Sequence, residues 1–271
     1  MRILFLGDVF GRSGRYAVRR YLPDLRRDYA PDMVIINAEN SNHGFGVSEK
    51  TATELFGYGA DVLTGGNHSW DCNDIIPYIQ RNPSLIRPAN TVGANVPGSG
   101  SYLHETQDGK RVLVVNVLCR LFMNDAENPF TCLDQILPEG APCISELDAV
   151  IVDCHGEASS EKRALGHFCD GRVSLIVGTH THVPTADAHI MPSGSGYQSD
   201  AGMCGDYDSV IGMDKDISLD RFLGRIPRPR MQPAAGTAGV CGVLIDTDPK
   251  TGLCQKINTI SRGCPWPDDK P

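Results

Sequence analysis

No stretch of about 20 apolar residues occurs in the 271-residue chain, so nothing in it is expected to span a membrane. The opening MRILFLGDVFG carries one Arg and an apolar run of four before Gly7 and Asp8, too short for a secretory signal. Cysteine occurs ten times but never as C-x-x-C, far below the density of a disulfide scaffold. Free, mostly buried thiols and a cytoplasmic location are the expectation. Basic charge is in deficit, 25 Lys+Arg against 33 Asp+Glu for a net −8. That argues against a general nucleic-acid coat, a stable nucleic-acid complex or an anionic-membrane binder, while leaving room for a small metal-lined cleft. Two nucleotide signatures are missing as well. No G-x-G-x-x-G follows the first apolar run, and G-R-S-G-R at 11 to 15 lacks the Lys-Ser/Thr of a P-loop, which disfavours Rossmann or Walker binding.

What is present is ample core. Hydrophobic residues make up 41 % and charged residues 21 %, which excludes disorder. A chain of 29.4 kDa should expose about 11,500 Å² and remove about 73 % of its extended surface from water. Apolar β-branched runs at 2 to 6, 33 to 37, 61 to 65, 111 to 117, 149 to 153 and 173 to 178 read as buried strands. Helices are predicted over 13 to 29, with Pro23 as a kink or break, over 48 to 58 capped by Ser48, over 73 to 81 and near 218 to 224. Two further strands, about 239 to 246 and 253 to 260, close the chain. Strand and helix alternate early, as in α/β folds. With no repeat or linker, a single domain over 1–262 is expected, followed by a loose tail over 263–271.

The chemistry gathers where the buried runs end. There stand Asp8, then Asn37-Ala38-Glu39-Asn40, then Gly66-Asn67-His68, then Asp153-Cys154-His155, then Thr179-His180-Thr181-His182. Ligands bind at the carboxyl ends of strands in α/β sheets because the loops there converge on one crevice. Each piece has an ordinary explanation alone: Asp8 could cap the next helix, Glu39-Asn40 is common turn composition, and His155 could be a satisfied core histidine. Pooled, Asp8, Glu39, Asn40, Asn67, His155, His180 and His182 exceed what one tetrahedral zinc needs and suit two cations sharing a carboxylate. Imidazole and hard oxygen without thiolate favour Fe, Mn or Zn. In an extended segment the period-two spacing of His180 and His182 would turn both rings to one side. A strand should turn Cys154 away from His155, into the core. His43, His104, His167 and His189 read as surface or packing residues.

The motifs G-D at 7 to 8, A-E-N at 38 to 40, G-G-N-H-S-W-D at 65 to 71, R-P-A-N at 87 to 90, D-x-H-x-E-A-S-S-E-K at 153 to 162 and D-G-R-V-S-x-x-x-G-T-H-T-H-V-P-T-A-D at 170 to 187 follow in unbroken order. In them the sequence resembles the YmdB-type bacterial metallophosphoesterases, a branch of the calcineurin-like superfamily with 2′,3′-cyclic-nucleotide 2′-phosphodiesterase activity. The resemblance implies a four-layer α/β/β/α sandwich and a di-iron or similar centre. It implies one metal on Asp8, Glu39, Asn40 and His182, the other on Glu39, Asn67, His155 and His180, with His68 beside them as proton donor. Phe10 stands where the wider superfamily has a histidine, and Asn40 is implied to supply the missing ligand. Gly156 stands where relatives usually place Ala. Homo-oligomers are implied as well.

The expected function is therefore a phosphodiesterase acting on a cyclic nucleotide, with a metal-bridging hydroxide attacking phosphorus in line and His68 protonating the departing ribose oxygen. A phosphomonoesterase or nuclease on the same centre stays open, as does a signalling protein that binds a cyclic nucleotide and turns it over slowly. Thiol titration under denaturing conditions, without reductant and in protein protected from air, should find close to ten free thiols; recovery of only a few would overturn the reduced reading.

Overall fold

In the computed structural model, which describes residues 1–271 apart from 124, 138, 228, 270 and 271, the first third runs β1 (Arg2–Leu6), β2 (Asp8–Val9), α1 (Gly11–Tyr29), β3 (Met33–Asn37), α2 (Glu49–Tyr58), β4 (Val62–Thr64) and α3 (Ile75–Arg81). The middle is β5 (Ser101–Glu105), β6 (Arg111–Leu118), α4 (Pro129–Ile136), β7 (Ala149–His155), α5 (Ser159–Cys169) and β8 (Leu175–Thr179). Short strands β9 (His189–Ile190), β10 (Gly196–Gln198) and β11 (Met203–Asp206) precede α6 (Lys215–Phe222), β12 (Ala238–Thr247) and β13 (Cys254–Arg262).

Side-chain alternation sorts these elements into layers. Along β1, Ile3 and Phe5 face a second sheet, while Leu4 and Leu6 face α1, α2 and α3. Along β7, Ala149 and Ile151 meet the first sheet from the other side, while Val150, Val152 and Cys154 pack with Leu133 of α4 and Leu165 of α5. Two sheets thus lie face to face with helices outside each, the four-layer arrangement expected. The first has order β2-β11-β12-β1-β3-β4, with β13 on β12, and the second β5-β6-β7-β8-β10-β9. β1, β3 and β4 are parallel neighbours, as are β6, β7 and β8, so both sheets deliver carboxyl ends to one edge. The accessible surface is 11910 Å², close to the mass-based expectation.

Three local expectations change. Helix α1 runs through Pro23 without a break, because Leu22, Leu25 and Tyr29 bury onto the same sheet as Ala17 and Val18. Asp8 does not cap α1: the N-cap is Phe10, which makes no side-chain cap bond. The tail is tied down rather than loose as far as it is described: Trp266 packs edge-on against Tyr207 at 4.8 Å, and Asp269 accepts from Ser261 N at 3.2 Å and pairs with Arg262. Residues 270 and 271 of that tail lie outside the described residues. Ser48 caps α2 as predicted, in a reciprocal box with Thr51. Among the described residues no helix is long and apolar enough to cross a membrane.

Candidate metal centre

Five chain segments meet at the shared edge of the two sheets. β7 ends at His155, fully buried, whose Nδ1 donates to Thr179 Oγ1 at 2.9 Å; that hydroxyl donates to Asp153 Oδ1 at 2.6 Å. The Asp153–Thr179 chain fixes the ring, so His155 Nε2 points into the cluster. Around Nε2 lie Asn67 Oδ1 at 2.9 Å, Glu39 Oε1 at 3.1 Å and His180 Nδ1 at 3.2 Å. On the other side of Glu39 sits Asn40, whose amide donates to Glu39 Oε1 at 3.0 Å and approaches His182 Nε2 at 3.1 Å. His182 is oriented by donation from Nδ1 to Ile211 O at 2.7 Å. Asp8 Oδ1 lies 3.9 Å from both His182 and His155, and Oδ2 accepts the His180 backbone N–H at 3.1 Å. All seven residues singled out from sequence are therefore brought together.

The H-T-H segment reaches this place differently from the expected extended chain. His180 and His182 both have positive φ, +99° and +64°, so the rings converge through left-handed turns. Non-glycine residues there cost of order 1–3 kcal/mol each and persist only where surroundings fix them. Here the fixing comes from a buried ion pair. Lys162, from α5, donates to Thr179 O at 2.8 Å and to Asp200 Oδ2 at 2.9 Å, with side chains only 2 % and 1 % exposed. Asp200 also accepts from Thr181 N and Gly202 N, each at 2.9 Å. With Asp8 on His180 N, successive backbone groups of the segment are held from Thr179 to Thr181. Gly66 is required by close approach: a Cβ there would lie 2.1 Å from Glu39 Oε2 and 2.5 Å from His155 Nε2. Gly156 has a similar reason, since a Cβ would meet Cys119 Cβ at 2.3 Å.

The electrostatics are those of a site built around positive charge. Burial alone would pull the His155 imidazole down, but Glu39, Asp8 and Asp153 outweigh it and hold the ring up at about 9. Burial pushes Glu39 up, yet His155 and His68 more than offset it and bring the carboxyl down to about 2. Burial, aided by the His155 charge, takes His180 down to about 3, and burial lowers His182 too. Asp8 is raised well above the carboxylate range by burial. Asp8 Oδ1 and Asn40 Oδ1 are buried without a hydrogen-bond partner among the described residues. Ligand atoms of Glu39, His155 and His180 all lie within 4.8 Å of one another, a possible metal site. Unpartnered buried oxygens are costly, and a cation is a group that both of these and the imidazoles of His180 and His182 can ligate.

His68 stands at the lip of the cluster, in the turn over 67–70. Its backbone N–H donates to Glu39 Oε2 at 3.1 Å, and Nδ1 pairs with Asp71 Oδ2 at 2.7 Å. Phe10 packs its ring edge-on against His182 at 5.2 Å. Cys154 lies in the outer core, away from the cluster. Asp71, Asp153, Lys162 and Thr179 stand in the motifs quoted above but carry no assigned role there, and Asp200 lies in the Gly-rich stretch that follows them.

The fold is that of the calcineurin-like phosphoesterase class, and the donor set is one that could hold metal ions. Within that class the chain belongs to the YmdB-like protein family, whose family model matches residues 4–260. It is 43 % identical over 260 residues to a 2′,3′-cyclic-nucleotide 2′-phosphodiesterase of Bacillus subtilis (strain 168), with 96 % of each chain covered. A crystal structure of a novel phosphatase from Mycoplasma pneumoniae superposes with a TM-score of 0.87 at 34 % identity, covering 100 % of this chain and 95 % of that one. The calcineurin-like phosphoesterase YfkN of Bacillus subtilis shares the fold at 12 % identity, TM-score 0.55, over 97 % and 90 % of the two chains.

Lys162→Met should lower stability by about 3–5 kcal/mol, because it strands a buried carboxylate and a carbonyl. Denaturant midpoints of Lys162→Met and of the double variant Lys162→Met/Asp200→Asn check this. The double variant should recover part of the loss, and a single variant as stable as wild type would dismiss the pair as a fixing element.

Proposed function

We propose that the protein hydrolyses 2′,3′-cyclic nucleotides at a two-metal centre, breaking the ester to the 2′-oxygen. The observation that carries this reading is the surplus of convergent donors: two carboxylates, two amides and three imidazoles, with two buried oxygens among them lacking partners among the described residues. One set would be Asp8, Glu39, Asn40 and His182, the other Glu39, Asn67, His155 and His180, with Glu39 common to both. Cations so held, with iron favoured and manganese or zinc compatible, would supply Lewis acidity toward phosphoryl oxygens and make water a better nucleophile. The substrate class is supported by the 43 % identical Bacillus enzyme.

The chain's own residues account for binding and proton movement. Asp71 holds His68 by Nδ1, so Nε2 is the nitrogen free to hand a proton to a departing ribose oxygen. Glu39 Oε2 anchors the backbone of the same turn, which couples the position of His68 to that of the shared carboxylate. Phe10, Ile211 and Met213 line the cleft with apolar surface, which strengthens charge interactions inside it.

Metal analysis of freshly purified protein should return about two equivalents of Fe, Mn or Zn. Glu39→Gln should reduce both, since it weakens the shared ligand; two metals at wild-type affinity would sink its bridging role. His68→Ala should keep its metal, lose about 10² to 10⁴ in turnover of 2′,3′-cAMP, and lose much less with a nitrophenyl diester whose leaving group departs unprotonated. Equal losses on both substrates would remove His68 as proton donor. Activity confined to monoesters would replace the diesterase reading with a phosphatase one.

A further inference from the structure

We infer that Phe45 is the surface on which the base of the nucleotide stacks, an inference that rests on the cyclic-nucleotide reading above. The ring is 41 % exposed and lines the cleft together with Glu39, Asn40, His68 and His180. It stands edge-on to the His68 imidazole with centroids 5.3 Å apart. An exposed aromatic on a surface turn is ordinarily mobile, but this turn is locked. Asn42 N donates to Gly46 O at 2.9 Å, Phe45 N donates to Asn42 O at 3.1 Å, and the Asn42 amide donates to Cys72 Sγ at 3.0 Å. Gly44 and Gly46 flank the ring with φ of +84° and +78°, where a Cβ would press on Phe10 at 2.9 Å or on Cys72 Sγ at 2.9 Å. The backbone therefore presents an apolar face to solvent beside the proton donor and keeps it there.

Substrate chemistry places the base at the same spot. The cleft holds about 140 Å³, less than the 300–1,000 Å³ of a site that encloses a small molecule. A phosphate and the adjoining ribose atoms fill it, so the base lies at the mouth. The oxygen that His68 protonates is carried by C2′, and the base is attached to the next carbon, C1′. A base thus lies about one ring's breadth from the group that protonates O2′, which is where Phe45 stands relative to His68. Stacking on an aromatic face accepts every base, since each has a π-face. Ile211, 52 % exposed and lining the same cleft, offers a second apolar wall. Phe45 is therefore a specificity-determining residue that favours nucleotides over small diesters without choosing among bases.

The test compares kcat/KM for 2′,3′-cAMP with kcat/KM for ethylene phosphate, a five-membered cyclic diester with no base, in wild type, Phe45→Ala, Phe45→Leu and Phe45→Trp. Calorimetry adds binding of 3′-AMP relative to inorganic phosphate, and melting temperature and metal content confirm that each variant is folded and loaded. The nucleotide preference should fall about ten- to hundredfold in both Phe45→Ala and Phe45→Leu and survive in Phe45→Trp. Leu keeps apolar bulk, so a preference retained in Phe45→Leu would overturn stacking. Equal loss on both substrates would show Phe45 merely supporting His68 and would also overturn it. Should wild type leave 2′,3′-cAMP intact, the cyclic-nucleotide reading fails by itself. The 3′-AMP measurement then decides Phe45: a selective loss of 3′-AMP binding in Phe45→Ala supports the platform, and no selective loss ends it.

Discussion

Thr179 is the point on which the arrangement turns. Its hydroxyl donates to buried Asp153 and accepts from His155, its carbonyl accepts from buried Lys162, and the next residue's N–H goes to Asp8 on the opposite sheet. A single residue thus connects both sheets, helix α5 and two imidazoles. Its place is set by register: in parallel β7 and β8, His155 is level with Thr179, so the histidine and the hydroxyl that orients it are neighbours by pairing. A slip of one residue would turn both faces over. The core between the sheets prevents it, since Ile151 and Val177 are buried there and alternate with the residues that face the helices.

The same register explains why a buried carboxylate can be tolerated beneath the cluster. Asp153 is fully buried and its carboxyl is raised by that burial, yet Thr179 and Thr64 hydroxyls and the Asn37 amide all donate to it. Those donors come from the ends of β8, β4 and β3, one from the second sheet and two from the first. Polar satisfaction and sheet-to-sheet alignment are here one condition, because a displaced sheet would leave a buried oxygen unpaired at a cost of about 1–3 kcal/mol.

Most of the fold was legible because its central strands are near-continuous apolar runs, and MVIIN or AVIVD admits few other readings. Donor residues were legible because they sit at the ends of those runs. The elements that escaped notice lack such contrast. β5, with alternating exposure, reads as ordinary loop beside Gly98 and Gly100, and β10 and β11 are short pieces inside a Gly-rich stretch. Helix α4 starts at an Asn128 cap followed by Pro129, a signal that is short and is followed by only eight helical residues. The residues that hold the site were harder still. Lys162 and Asp200 are 38 positions apart, and nothing in either local pattern announces that a lysine will be buried. The left-handed turns at His180 and His182 were hidden for the same reason: histidine enters φ > 0 more readily than most residues but still rarely, and tertiary bonds hold it there.

Phe10 forms the inner wall of the cluster beside His182. The ring is 3 % exposed, meets His182 edge-on, and occupies space that exists because Gly44 and Gly212 have no side chains, a Cβ at either falling 2.9 Å or 2.6 Å from it. The ring supplies apolar packing that fixes His182 from a second direction, beside its bond to Ile211 O. Asn40 then stands where it can approach both Glu39 and His182. On the reading proposed above, the Asn40 amide supplies a donor while the ring keeps water from the inner wall. Phe10, Gly44 and Gly212 therefore form one packing unit, since a side chain at either glycine would displace the ring that seats His182.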